Sequence, residues 1–499
     1  MKKLNSTIKF LPLLILSTTL CSCMNSTYAG KEAYIGRESN YHYSYYSNEQ
    51  TRKSYYNQTD VDNSDAIREN PFITPTAEHN TSNISLTSSS FAYTAVREAI
   101  NKERISQARS KVKTEEMLNY FSYGYVNDTD DALVTRLELD TCPWNDRNYL
   151  ASVVVKAKPA KTEDIKNNIV VLVDKSGSMS PVMSMVKESL QTLIAQLGNE
   201  DVVSIVSYAS GCKIETEGKT GENKAELSTL VDGLKAYGAT NGEAGIETAY
   251  ELAHKYYIPD GNNRVVILTD GDFNVGKVKG DELKALIKQK AADGVYLTCC
   301  GYRSTNNETL ATLANNGNGN AYYIDCNLEA QKVFEEEFGK SLYVAAKDAK
   351  CQVEFSDAVA SYRLLGYETR QMSNQEFDDD HKDAGEIMAD HTTVALYELK
   401  LKEVWTKDFI LKTTLRYKDP VSQQEKEVIN QKSDISVSRR SDYDFMSYVA
   451  EYSLVLSKSK YVEYGSYTHL LNRINDDYLD DKYRDDFKSL VLSTKELDK

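Results

Sequence analysis

The chain of 499 residues reads as α/β: a doubly wound, mostly parallel sheet inserted between β-rich segments that form a β-sandwich, with helices at the carboxyl end. Three observations predict this. Between residues 166 and 345, short apolar runs alternate with segments of helical spacing, the rhythm of strand–helix–strand units with parallel strands. After that block, apolar and polar positions alternate as they do in antiparallel strands, and the segment before it carries strand runs as well. Two apolar runs inside the block, Asn168-Ile-Val-Val-Leu-Val173 and Arg264-Val-Val-Ile-Leu-Thr269, end in Asp174 and Asp270. Ligand sites of doubly wound sheets lie just beyond such strand ends.

Residues 1–22 predict an export signal. Lys2 and Lys3 precede the apolar core Phe10-Leu-Pro-Leu-Leu-Ile-Leu16, which is too short to span a bilayer as a mature helix. The run ends in Leu20-Cys-Ser-Cys23. This resembles the lipid-attachment box of bacterial lipoproteins and implies lipidation at Cys23. Cys21 is the competing acceptor, and plain secretion is the alternative. Met24 stands where inner-membrane lipoproteins carry Asp, which implies the outer membrane of the cell envelope.

Residues 23–68 read as a tether. Seven tyrosines between Tyr34 and Tyr56 are mixed with Ser, Asn and Gln, too little apolar surface to offset chain entropy. Residues 69–165 form a first structured segment, with helical spacing over 91–97 and 114–121 and strand runs over 133–139 and 149–156. In the block 166–345, Met183, Val186, Leu190, Ile194 and Leu197 recur as one face of a helix. A strand follows over 201–208, with a hairpin partner at 213–217. Ile246, Ala249, Tyr250 and Ala253 mark another helix. Strands at 295–300 and 321–325 complete the sheet, and a last helix is expected from about Leu328 to Leu342. Residues 346–438 read as strands at 352–355, 392–399, 409–417 and 435–438, in sheets with one wet face. Residues 439–499 are helical, with Phe445, Val449, Tyr452 and Leu456 on one face. Neither flank is a good candidate for a closed core, so the two are expected to share one sandwich.

The formal net charge is −15, and loss of Lys2, Lys3 and Lys9 with the signal would leave about −18. An acidic chain without a basic tract has no electrostatic footprint for nucleic acid or for an anionic membrane surface. Membrane contact is therefore expected through lipid only. Six cysteines lie in the body of the chain, and their pairing stays open. Cys299 and Cys300, adjacent on a strand, point to opposite faces and read as buried thiols. With no Cys-x-x-Cys and scattered histidines, a zinc or redox site has no support. The acidic run Asp378–Asp383 reads as a solvated loop, with a cation site as the alternative.

In Val171-Leu-Val-Asp-Lys-Ser-Gly-Ser-Met179, a carboxylate and two hydroxyls stand at alternate positions on a turn that contains Gly177. Hard oxygens of this kind suit a small divalent cation, although Asp and Ser are also ordinary helix caps. Downstream come Gly238-Ala-Thr-Asn-Gly242 and the strand-end Asp270-Gly271-Asp272. In this order the three motifs resemble the metal-ion-dependent adhesion site of the von Willebrand factor type A family. The resemblance implies Asp174, Ser176, Ser178, Thr240 and Asp270 as direct or water-mediated ligands of Mg²⁺, or of Mn²⁺ or Ca²⁺. It implies a coordination position left open for the carboxylate of a protein partner, and so a non-enzymatic, adhesion-type module. It also implies the last helix of the domain as a relay to the flanks. Lys175 occupies a variable position and is expected to point to solvent, with steering of an acidic ligand as the alternative.

The flanks resemble those of a bacterial lipoprotein family that carries this domain. That family usually has Asp-x-Asp-Thr where this chain has Ile84-Ser-Leu-Thr-Ser-Ser89. Two other functions stand as alternatives. One is an envelope assembly or chaperone adaptor. The other is a Mg²⁺-dependent phosphoryl hydrolase with Asp174 as nucleophile, which wants an acid two residues on, where Ser176 stands.

Overall fold

Two stretches of chain far apart in sequence combine into one β-sandwich, because neither carries the strands to close its own core. The computed structural model describes residues 69–77, 79–160, 165–239, 243–271, 280–302, 307–337, 343–382, 384–406, 408–420 and 422–499. The first flank contributes β1 (Thr81–Ser85), α1 (Phe91–Asn101), α2 (Ile105–Ser110), α3 (Thr114–Leu118), β2 (Leu133–Thr141) and β3 (Tyr149–Ala157). The inserted block holds β4 (Asn167–Asp174), α4 (Met183–Gln196), β5 (Val202–Tyr208), β6 (Cys212–Thr220), α5 (Lys224–Asp232), α6 (Glu243–Lys255) and β7 (Asn262–Thr269). It continues through α7 (Gly280–Ala292), β8 (Val295–Gly301), α8 (Asn307–Asn316), β9 (Ala321–Tyr323) and α9 (Asn327–Gln331). The second flank brings β10 (Val344–Phe355), β11 (Val359–Leu365), β12 (Gln371–Met372), α10 (Asn374–Asp378), β13 (Gly385–Met388) and β14 (Thr392–Leu401). It ends with β15 (Leu411–Lys418), β16 (Glu425–Lys432), α11 (Arg440–Leu456), α12 (Tyr467–Arg473) and α13 (Lys482–Leu497).

One antiparallel sheet has the order β12-β1-β10-β15-β16, with β13 also on β10; the other has the order β11-β14-β3-β2. Both flanks contribute strands to both sheets: β1 pairs with β10 and β12, and β3 with β14. The expected shared sandwich is therefore present. Ile84, Leu137, Val153, Val353, Phe355, Tyr397 and Leu415 fill the space between its sheets.

The expectation of one wet face holds for β15, whose burial alternates along the strand. It fails for β14, which is buried on both faces, as is its neighbour β3. The reason is a third layer: Leu150, Val154, Val394 and Leu396 on the outer face of these strands meet apolar side chains of α1, α3, α11 and α13. Helix α11 is buried nearly all round, well beyond the one face expected. Phe445 lies edge-on to Phe121 and Phe487, with ring centroids 4.8 and 5.5 Å apart.

One other expectation fails. Residues 435–438 form no strand; they run beside β2, where Ser436 O accepts the Leu139 N–H at 3.1 Å. The neighbouring β16 is a strand, and its sequence, Glu-Lys-Glu-Val-Ile-Asn-Gln-Lys, is polar because it lies at a sheet edge.

The inserted block forms the sheet β6-β5-β4-β7-β8-β9, with β6 antiparallel and the rest parallel. The winding reverses at β4, which lies between β5 and β7. Both faces are covered: Val171 and Val173 belong to the core under α4 and α9, and Val170 and Leu172 to the core under α6, α7 and α8. Cys300 and Cys299 fall into these two different cores, and the six body cysteines are all free thiols. The last helix starts where expected, at Asn327. After Gln331 it widens into a π-helix over Lys332–Glu337, and residues 338–342 lie outside the described set.

This helix is tied to the flanks by a buried ion cluster. Arg97 on α1 donates from Nε and Nη2 to both oxygens of Asp325, at 2.8 and 2.6 Å. It also reaches Glu329 at 3.1 Å and, on α13, Asp486 at 2.9 Å. The Tyr120 hydroxyl donates to Glu329 at 2.8 Å. Burial pushes the Glu329 carboxyl up, while Arg97 and Lys332 pull it down. Among the described residues no helix is long and apolar enough to cross a membrane.

Candidate metal centre

The winding reversal at β4 opens a crevice, and three loops meet there. The loop after β4 is fixed to β5 by the Lys175 N–H, which donates to Tyr208 O at 2.8 Å. The loop before α6 is stitched to it twice, by Tyr237 N–H to Lys175 O at 2.6 Å and by Gly177 N–H to Gly238 O at 3.0 Å. The loop after β5 joins through Ser210, whose hydroxyl accepts the Ala239 N–H at 3.1 Å. Gly238 sits at φ +87°, in the left-handed region, and a Cβ there would stand 2.7 Å from Ser210 Oγ.

Asp174, at the end of β4, is fully buried. Its Oδ1 accepts the Ser176 N–H at 2.8 Å, and its Oδ2 accepts the Tyr208 hydroxyl at 2.9 Å and the Thr269 hydroxyl at 3.3 Å. Ser176 and Ser178 place their hydroxyl oxygens 3.0 Å apart, with Ser176 buried and Ser178 exposed at the rim. Asp270, at the end of β7, is also buried. Burial raises the Asp174 carboxyl above its ordinary value, and the Asp270 charge adds to that rise, against the hydrogen bonds from Ser176 and Tyr208. Four of the expected ligands thus lie on the two loops that leave adjacent strands β4 and β7. Thr240 and Cys23 lie outside the described residues.

Tyr208 and Thr269 were missed by the sequence reading. Thr269 immediately precedes Asp270 and could have been found from that position, whereas nothing local marks Tyr208 as a neighbour of Asp174. Lys175 requires a correction. It is buried, and its ammonium pairs with Glu215 on β6 and lies 5.3 Å from the centre of the Tyr237 ring. Desolvation would raise the Glu215 carboxyl, but Lys175, Lys213 and Ser207 together hold it at about 2.

The donor set fits a hard divalent cation: two buried strand-end carboxylates, with the Asp270 charge making Asp174 costlier to ionise, and hydroxyl oxygens at an open rim. Among the described residues no cluster of three or more His, Cys, Asp or Glu side chains could hold a metal, so any ion here depends on hydroxyls as well. The run at 378–383 is tied down by Arg416, which pairs with Asp380 at 2.9 Å and Asp378 at 3.6 Å; Asp383 lies outside the described residues.

Comparison with known proteins agrees with this architecture. Residues 168–336 match the family model described as von Willebrand factor type A domain, and residues 58–152 match one described as von Willebrand factor. This is a bacterial protein that contains a von Willebrand factor type A domain. Behind that domain, residues 340–497 match the model for the C-terminal region of uncharacterized protein YfbK. YfbK of Escherichia coli (strain K12) is 37% identical over 324 residues, which cover 62% of this chain and 56% of YfbK. The chain therefore spans little more than half the length of that relative. Uncharacterized protein sll0103 of Synechocystis is 24% identical over 331 residues, 64% of this chain and 77% of that protein. Among solved structures, a von Willebrand factor type A protein from Catenulispora acidiphila aligns over 74% of this chain and 91% of its own, at 14% identity and a TM-score of 0.37. Von Willebrand factor type A domains typically serve as protein-interaction modules.

Proposed function

We propose that this chain is a non-enzymatic, cation-dependent protein-binding module held at the cell envelope by lipid on Cys23, in the outer membrane. Asp174, Ser176, Ser178, Thr240 and Asp270 would hold Mg²⁺, or Mn²⁺ or Ca²⁺, and the ion would supply an electrophilic seat for an acidic side chain of the partner. The observation that carries the reading is the pair of buried strand-end carboxylates beside two hydroxyls 3.0 Å apart, one of them at the exposed rim. The chain's own residues shape the seat. Ser176 N–H and the Tyr208 and Thr269 hydroxyls fix the orientation of Asp174, and the Lys175–Glu215 pair braces the loop from below. The small residues Gly177, Ser178 and Gly238 leave the rim open to a bulky partner.

Thermal unfolding with and without mM Mg²⁺ or Mn²⁺ tests the reading. The ion should raise the unfolding temperature of the native chain and leave Asp174→Ala unmoved, because a ligand of the folded state alone stabilises it. No rise in the native chain would overturn the proposal.

A further inference from the structure

Between the von Willebrand factor type A domain and the flanks lies a cleft of about 1500 Å³. Its walls come from the ends of α7 and α8 and the following loop on one side, and from the β1–α1 loop, the α2–α3 region and the β13–β14 turn on the other. It is separate from the metal centre: neither Asp174 nor Asp270 lines it.

The charges on its walls are unbalanced. Glu116 is held by Lys113 and by the Ala92 N–H, Asp390 by Lys156, and Glu337 by Lys332. Glu336 is engaged by Lys482 and the Tyr483 hydroxyl, and Glu386 also has a partner. Among the described residues, however, Lys111, Lys288, Lys347 and Arg370 line the cleft without making any ion pair. Four uncommitted cations in one cleft of a chain with net charge −15 are a local concentration, not a reflection of overall composition.

Neutral hydrogen-bonding groups accompany them. Ser88, Ser89 and Ser90 line one wall, and Asn315, Asn316 and Asn318 line the facing wall. The volume exceeds the roughly 300–1,000 Å³ typical of small-molecule pockets. A concave site of this kind cannot lie flat on a bilayer. The aromatic residues of its flank wall, such as Tyr120 and Phe121, are buried with their faces in the helical core, so sugar rings find little to stack on.

We propose that this cleft binds an extended acidic peptide segment of a protein partner, with carboxylates on Lys111, Lys288, Lys347 and Arg370 and peptide groups on the Ser and Asn side chains. The inference does not depend on the metal centre being occupied.

The test uses the full chain and a fluorescein-labelled Glu-Gly repeat peptide, with a Gln-Gly peptide of equal length as control, read by fluorescence anisotropy. The Glu peptide should bind and the Gln peptide should not. Binding should weaken about tenfold or more, equivalent to about 1.4 kcal/mol, in the combined variant Lys111→Gln, Lys288→Gln, Lys347→Gln, Arg370→Gln. The single variant Lys288→Glu, at an exposed helical position, should weaken it in the same direction without touching the core. EDTA and Asp174→Ala should leave binding unchanged, which separates this site from the metal centre. Absence of binding, equal binding by both peptides, or full binding by the combined variant overturns the proposal. So does loss of binding with EDTA, or capture of a sulfated glycan with no affinity for the peptide.

Discussion

Two pairs of acids stand beyond strand ends of the same parallel sheet, and the protein treats them differently. Asp325 and Glu329, past β9, are buried and answered by Arg97 from a different part of the chain. Asp174, at the end of β4, is equally buried, yet the described hydrogen-bond donors around it are neutral: the Ser176 amide and the hydroxyls of Ser176, Tyr208 and Thr269. Buried charge is costly unless it is paired. A carboxylate whose counter-charge is built in belongs to the scaffold. One left with neutral donors beside a second acid keeps the capacity to take a cation from outside.

Removing Arg97 should have the largest effect. Arg97→Met leaves Asp325 and Glu329 buried without their counter-ion, and breaking such a pair costs about 3–5 kcal/mol. Urea unfolding measures it; an unchanged midpoint would mean that the two acid pairs do not differ in kind.

Asp174→Asn should separate the pairs from the other side. In EDTA the amide can still accept the Ser176 N–H and no longer repels Asp270, so stability should stay within about 1 kcal/mol of the native chain. In excess Mg²⁺ the variant should lack the ion's contribution, about 2.7 kcal/mol at a hundredfold excess over Kd. A loss in EDTA that matched Arg97→Met would place Asp174 in the scaffold too.

Glu215 offers the smallest and most specific contrast, as a carboxylate near the centre that does have lysine partners. Its folded carboxyl, at about 2, lies below the unfolded value of about 4.3, so its stabilisation is complete above pH 4.3 and is lost as pH falls toward 2. Glu215→Gln should cost about 1–2 kcal/mol at pH 7, with native and variant converging near pH 2, measured by thermal unfolding at each pH. A pH-independent difference would assign the loss to packing.

What was legible follows from how locally each feature is encoded. The apolar run ending at Asp174 and the hydroxyls of Ser176 and Ser178 are contiguous, so strand, turn and the first three donors could be read from nine residues. The helix face Met183–Val186–Leu190 was equally plain, because one sheet face dictates one stripe. The burial of Lys175 was not legible, since its partner Glu215 lies on a strand that meets it only after the hairpin forms. The Arg97 cluster joins α1, α9 and α13, and no spacing in sequence announces it. The two-sided burial of β3 and β14 depends on a helical layer drawn from both ends of the chain, and the polar β16 carries no apolar alternation because it is a largely exposed strand at a sheet edge.

The way the sandwich is threaded sets an order for folding. The sheet β4–β9 is made from consecutive chain and needs only near neighbours, whereas β3 must wait for β14, after the entire inserted domain has left the ribosome. During synthesis the first flank therefore stands with open strand edges while the domain behind it completes. A lesion that slows closure of the inserted domain leaves those edges exposed to other chains, and its first symptom would be aggregation rather than loss of binding.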